Sequence, residues 1–196
     1  MRNRPIAAAL LLATCVATGC QSADEGDAAS TMAMETTRAE LAHADLQRTV
    51  EIAHEKFTAL ADAMPEGTYA WQPMEGVRSV GDVFQHVAAD NFFVPALMGV
   101  VPPPETGVTS DVMTFRAYQE RTMSKEEIVA AVDASFVFLL GAMESTADDL
   151  TREITLGQSP TTVGDVWIRA IVHVHEHLGQ SIAYARSSDI VPPWSR

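Results

Sequence analysis

The 196-residue chain predicts an all-α fold, a four-helix bundle with a long connector between its second and third helices. Three observations carry this. Four stretches repeat apolar residues at steps of three and four, the period that lines one face of a helix. Their ends carry capping and breaking residues, with Ser79, Ser124 and Thr162 in front and Pro65-Glu66-Gly67 and Pro102-Pro103-Pro104 behind. One short segment alternates as a strand would, Arg152 to Leu156. Four amphipathic helices bury their stripes against one another as a bundle.

Residues 1–20 are expected to lie outside that fold. Arg2 and Arg4 make a basic start, Ile6 to Val16 is an apolar run too short for a comfortable membrane span, and Ala17-Thr18-Gly19 supplies the small residues of a cleavage site. Cys20 directly after them resembles a bacterial lipoprotein signal, in which that cysteine is lipidated. The expected address is therefore the cell envelope, by a lipid anchor. Ala17 stands where Leu is more usual, so a secreted or periplasmic soluble protein is the alternative. Cys15 falls in the removed segment, which leaves no pair for an intrachain disulfide. Residues 21–34 are Ser, Thr, Ala, Asp, Glu and Gly with almost no large apolar side chain and read as a disordered tether. The bundle domain is then 35–196. The chain carries 13 basic against 26 acidic residues, a formal −13. This excludes nucleic acid and anionic lipid surfaces as partners, since both need basic patches. Contact with a membrane is expected through the lipid alone; a small-molecule ligand and a second copy of the chain stay open as partners.

The first helix is expected over 35–64, where Leu46, Val50, Ala53, Phe57, Leu60 and Met64 form one stripe. His43 and His54 lie in it and read as solvated or packed side chains. After an irregular connector with Trp71, Pro73 and Gly76, Ser79-Val80-Gly81-Asp82 opens the second helix, expected to run to about Gly99. Its inward face is Val83, His86, Asp90, Phe93 and Leu97, so a histidine and a carboxylate sit on an apolar stripe. Taken alone, His86 would be a satisfied core histidine. The prolines at 102–104 end that helix. A connector follows to Met123, with a short helical piece around Phe115 to Glu120; its length lets it cross the bundle, so the helices it joins need not be antiparallel neighbours. Ser124-Lys125-Glu126-Glu127 is a capping box for the third helix, to about Ser145, with Ile128, Val132, Ser135, Phe136, Leu139, Leu140 and Met143 facing the core. Thr162-Val163-Gly164-Asp165 opens the fourth and echoes residues 79–82, which predicts that the two helices enter the bundle alike. The tail from Ser187, with Pro192-Pro193-Trp194, is expected to be non-helical and to pack back on the bundle end.

The fourth helix carries the chemistry. His173 and His177 are four apart and share one face, whereas His175 points about 200° away and is a bystander. Neutral imidazole suits zinc, nickel and iron, and zinc or nickel is the expected ion. Bundles build metal sites from inward residues on facing helices, and here His86 on one helix faces His173 and His177 on another. Three protein ligands leave a coordination position open. Asp90 is the candidate catalytic or fourth-ligand group. Gln180 and Tyr184 continue the histidine face and are candidates for contacting a ligand, with core-edge packing as the plainer reading. Glu176 reads as a charge on the rim.

Three segments resemble the DinB/YfiT-like superfamily of bacterial metal-binding bundles. They are Trp71-Gln72-Pro73 through Ser79 to Val83-Phe84-Gln85-His86-Val87-Ala88, then His173-Val174-His175-Glu176-His177-Leu178-Gly179-Gln180, and the close Ile190-Val191-Pro192-Pro193-Trp194. The resemblance runs from about Glu35 to the C-terminus. It implies a divalent metal held by His86, His173 and His177, and, in some members, a thiol-dependent transferase or isomerase activity. The sequence thus leaves a metal-dependent hydrolase or thiol-dependent transferase of unknown substrate beside a non-catalytic extracytoplasmic metal- or ligand-binding lipoprotein. A third reading, three hydrogen-bonded core histidines without an ion, is disfavoured because burying that many polar groups is costly.

Overall fold

The computed structural model describes residues 22–195. The expected signal segment, with Cys20, lies outside them. Helix α1 spans Ser22–Ala63, 42 residues. It starts well before the expected boundary near Glu35, so 22–34, expected as a disordered tether, is helical. The low apolar content of this stretch suggests disorder, but its Ala and Met are among the strongest helix formers. The described residues up to Ala39 belong to one compact unit, and from Glu40 the chain forms a second. Within the first unit, residues 30–35 are exposed along the helix. In the second, the predicted stripe is the buried face: Val50, Ala53, Phe57, Leu60 and Met64 are fully inaccessible.

Helix α2, Val80–Leu97, is the central element and is buried nearly all round. A short α3, Val112–Gln119, lies in the long connector, and α4 runs Lys125–Ser145. Strands β1, Glu153–Leu156, and β2, Ser159–Thr162, form an antiparallel hairpin turned at Gly157, whose φ of 62° suits glycine. Helix α5, Val163–Ser187, follows directly. Helices α2 and α4 are parallel neighbours, because their contacts run in the same order. Gly81 faces Ile128, Asn91 Nδ2 donates to Ser135 Oγ at 3.1 Å, and Phe92 lies against Phe138 at 5.7 Å. The connector has therefore crossed the bundle, as its length allowed. Helix α1 runs antiparallel to α4, with His54 against Asp133 and Lys125 Nζ donating to the Asp62 carbonyl. Phe57, Phe84 and Phe136 join the three helices in one aromatic cluster, each ring contributing about 1.5–3 kcal/mol by burial. The tail packs back as expected, with Lys56 Nζ 5.8 Å from the Trp194 ring, and it makes a short 3-10 turn at Pro193–Ser195.

The echo between residues 79–82 and 162–165 is structural. Ser79 and Thr162 each accept from the backbone N–H of the aspartate three residues on. The next two N–H groups, which a helix start leaves without intrahelical partners, go back to the preceding loop in both places. Val80 and Gly81 donate to the Trp71 and Tyr69 carbonyls, and Val163 and Gly164 to those of Arg152 and Leu150. Close backbone approach explains the glycines, since a Cβ at Gly164 would stand 3.1 Å from the Leu150 oxygen and one at Gly81 3.3 Å from the Tyr69 oxygen. One difference separates the two starts. Asp82 returns a bond to the Ser79 N–H, while Asp165 accepts instead from Thr161 and Arg169. These paired anchors fix the entry of α2 and α5, the two helices that carry the histidines.

Candidate metal centre

Helices α2 and α5 are antiparallel, which sets His86 and Asp90 of the first against His177 and His173 of the second. The three histidines each offer a ring nitrogen, all within 4.8 Å of one another. Their ring centroids are 4.5–5.2 Å apart and every pair is nearly perpendicular, at 83–88°. His86 is buried, while His173 and His177 are half-buried. His175 is exposed on the other side of α5, with its Nδ1 against the Ile171 carbonyl. Glu176 is exposed at the rim, 4.0 Å from His173 Nδ1.

Each ring has its own partner. His86 Nδ1 donates to Gln119 Oε1 at 2.8 Å and His177 Nδ1 donates to Gln180 Oε1 at 2.8 Å. The amide orientations are fixed in turn: Gln180 Nε2 donates to the Tyr184 hydroxyl at 2.9 Å, and Arg78 reaches Gln119 Oε1 at 3.4 Å. With Nδ1 carrying the proton, the Nε2 lone pair of His177 is free to ligate, whereas the Nε2 of His86 faces Asp90. Tyr184 donates on to the Arg78 carbonyl at 3.3 Å and meets the Trp71 ring edge-on. Gln180 and Tyr184 therefore form a chain that holds His177. The connector closes the side of His86, where Phe115 packs edge-on at 6.0 Å beside Gln119. Gln119, Arg78 and Phe115 were not singled out in the sequence. They lie in irregular or short segments, and the only hint was the short helix expected near 115–120.

Asp90 stands between two of the histidines. Its Oδ2 accepts from His173 Nε2 at 2.8 Å and lies 3.0 Å from His86 Nε2. Burial raises this carboxyl, but the hydrogen bonds to His173 and His86 outweigh it and hold Asp90 below its ordinary value. The same bond to Asp90 raises His173 above the usual imidazole range, against the opposing effect of burial. His177 moves the other way: burial lowers it, and positive charge on His173, His86 and Arg78 adds to the effect, against the bond to Gln180. His177 is thus held neutral more readily than His173, in the form that binds a metal.

A cavity of about 270 Å³ opens against Asp90 and His173. Its walls are Val94 and Leu97 of α2, Leu139 of α4, Leu156 of β1, and Val166 and Ala170 of α5. The centre is therefore not a plugged core. A larger hollow of about 610 Å³, lined by Phe92, Tyr118 and Met123 among others, contains none of the three histidines.

The histidines, the carboxylate and the glutamine braces form a donor set suited to one divalent ion: three imidazoles that face each other, two with their second nitrogen already engaged. No curated protein matches the chain. Among the solved structures that share the fold are two DinB-like proteins. One is a DinB-like protein from Bacillus cereus ATCC 10987, at a TM-score of 0.63 and 16% identity, covering 76% of this chain and 93% of that one. The other is a DinB-like protein from Bacillus subtilis, at a TM-score of 0.57 and 17% identity, covering 75% of this chain and 94% of that one. The model of the DinB superfamily matches residues 49–181, a span that contains all three histidines, and the chain belongs to the DinB superfamily.

Proposed function

We propose that this protein is a metal-dependent enzyme of the hydrolase or thiol-transferase type, with His86, His173 and His177 holding one zinc or nickel ion. The observation that supports it most is the convergence of three ring nitrogens within 4.8 Å beside a half-buried carboxylate and an open cavity. A bound ion would supply acidity, lowering the pKa of a water or thiol in its open position. The protein's own groups do the rest. Gln119 and Gln180 orient the His86 and His177 rings, and Asp90, ionised at neutral pH, accepts a proton beside His173. The apolar cavity walls keep bulk water from that carboxylate. The proposed address is the cell envelope, through a lipid on Cys20, where low-molecular-weight thiols are scarce; this favours water over thiol as the activated group.

The test is turnover by the metal-loaded domain of two generic substrates, 4-nitrophenyl acetate for hydrolysis and 1-chloro-2,4-dinitrobenzene with a small thiol for transfer. Chelation should abolish whichever activity is present, metal should restore it, and Asp90→Asn should lower it by about 10²–10⁴-fold. A domain that holds its ion and turns over neither substrate would support the other reading, a non-catalytic extracytoplasmic binding lipoprotein.

A further inference from the structure

We infer that the cavity beside Asp90 and His173 is the substrate pocket, and that it takes the apolar body of a small molecule, a short branched chain or a single ring, whose one polar end reaches the metal. This rests on the reading above and adds the substrate class.

Three observations carry it. The cavity meets the centre at Asp90 and His173 and does not extend to His86 or His177, so an occupant arrives at the carboxylate. Away from that contact the lining is mainly aliphatic: Val94, Leu97, Leu139, Val166, Ala170 and Val174. Asn91, which also lines it, has its amide nitrogen committed to Ser135. At about 270 Å³ it falls just below the range of roughly 300–1,000 Å³ typical of drug-sized ligands. Arg169 lines the cavity as well, but its side chain is largely exposed to solvent and its Nε is held by Asp165 at 2.8 Å. A charged or sugar-like body would lose its hydration here without finding partners. The opposite side of His86 is covered by Phe115 and Gln119, which leaves this as the lined approach.

The experiment measures binding of two hydroxamates to the zinc-loaded protein, acetohydroxamate and benzohydroxamate, which share a metal-binding head and differ in apolar body. Zinc content is read in parallel by elemental analysis. Benzohydroxamate should bind at least tenfold more tightly. Ala170→Leu, which fills the cavity, should erase that preference with zinc retained, and Leu97→Phe serves as a second filling variant should the first fail to fold. Equal affinities for the two probes overturn the assignment, as does a preference that survives in a folded, zinc-retaining filled variant. Wild-type protein that holds no zinc or nickel overturns the metal reading itself, and the pocket assignment falls with it.

Discussion

Gln119 Oε1 accepts from His86 Nδ1 at 2.8 Å, reaching across 33 residues of chain to a helix it does not belong to. Gln180 makes the same bond to His177, also at 2.8 Å, from within α5. Two of the three rings are thus oriented by a glutamine carbonyl, and each amide is itself oriented by a further donor or acceptor. Such partners fix the tautomer and spare the metal the cost of ordering the ring. Gln119→Ala and Gln180→Ala should each weaken metal affinity by about 10–100-fold while leaving the helical content intact. Competition against a chelating dye reads the affinity, and circular dichroism reads the fold. Unchanged affinity in both variants would show that the amides are bystanders.

The His173–Asp90 bond makes a prediction about pH in the metal-free protein. The groups facing His173 are Asp90 and His86 from α2, Glu176 and His177 from α5, and Arg78. The folded-state pKa of His173 is raised, so its contribution to stability is fully present below the unfolded value of about 6.5 and is lost as pH rises through the folded value. In the presence of a chelator, the stability advantage of wild type over His173→Asn should therefore shrink between pH 5 and pH 8. Urea unfolding at the two values measures it. Asp90 has the complementary sign. Its folded value is lowered, so its contribution is present above an unfolded value of about 3.9 and is lost as pH falls through the folded one. The metal-loaded protein should behave oppositely in the neutral range and gain stability with rising pH, because ligation requires neutral imidazoles. A chelated protein whose advantage over the His173 variant grows toward pH 8 would contradict the pairing.

The two glycine anchors differ in how much room they leave. At Gly164 the nearest atom to a new Cβ is a backbone oxygen at 3.1 Å, which moves only with the loop; at Gly81 the crowding is 3.3 Å, shared between the Tyr69 ring and its carbonyl. Gly164→Ala should cost roughly 1–2 kcal/mol, net of the helix propensity that alanine gains. Gly81→Ala should cost less. Thermal unfolding of the two variants gives the order, and a more stable Gly164→Ala would show that the loop yields freely.

Much of this was legible because each signal had a period. The stripe from Val50 to Met64 recurs at helical steps and is the fully buried face of α1. His173 and His177 share a face by their spacing of four, and His86 with Asp90 does so by the same rule. The echoed helix starts were legible as chemistry, Ser or Thr with an aspartate three residues on. Other features had no period to read. Gln119 and Arg78 act from a short helix and a connector, where position depends on how the chain crosses the bundle. The second strand contains Pro160, which reads as a turn residue, yet at the edge of a two-stranded hairpin a missing N–H is tolerated. The early stretch of α1 was hidden because residues 30–35 are exposed along the helix, and an exposed helix shows composition and no pattern. The cavity was invisible for another reason: Val94, Leu97, Leu139 and Val166 are ordinary core residues in sequence, and only the packing of three helices leaves space between them.

The site as described requires one ion shared by the three rings. Elemental analysis of the purified domain should find close to one zinc or nickel per chain, and His177→Ala should lose most of it while staying folded. Equal metal in the wild type and the variant, or none in either, would contradict the assignment of these three rings as a metal centre.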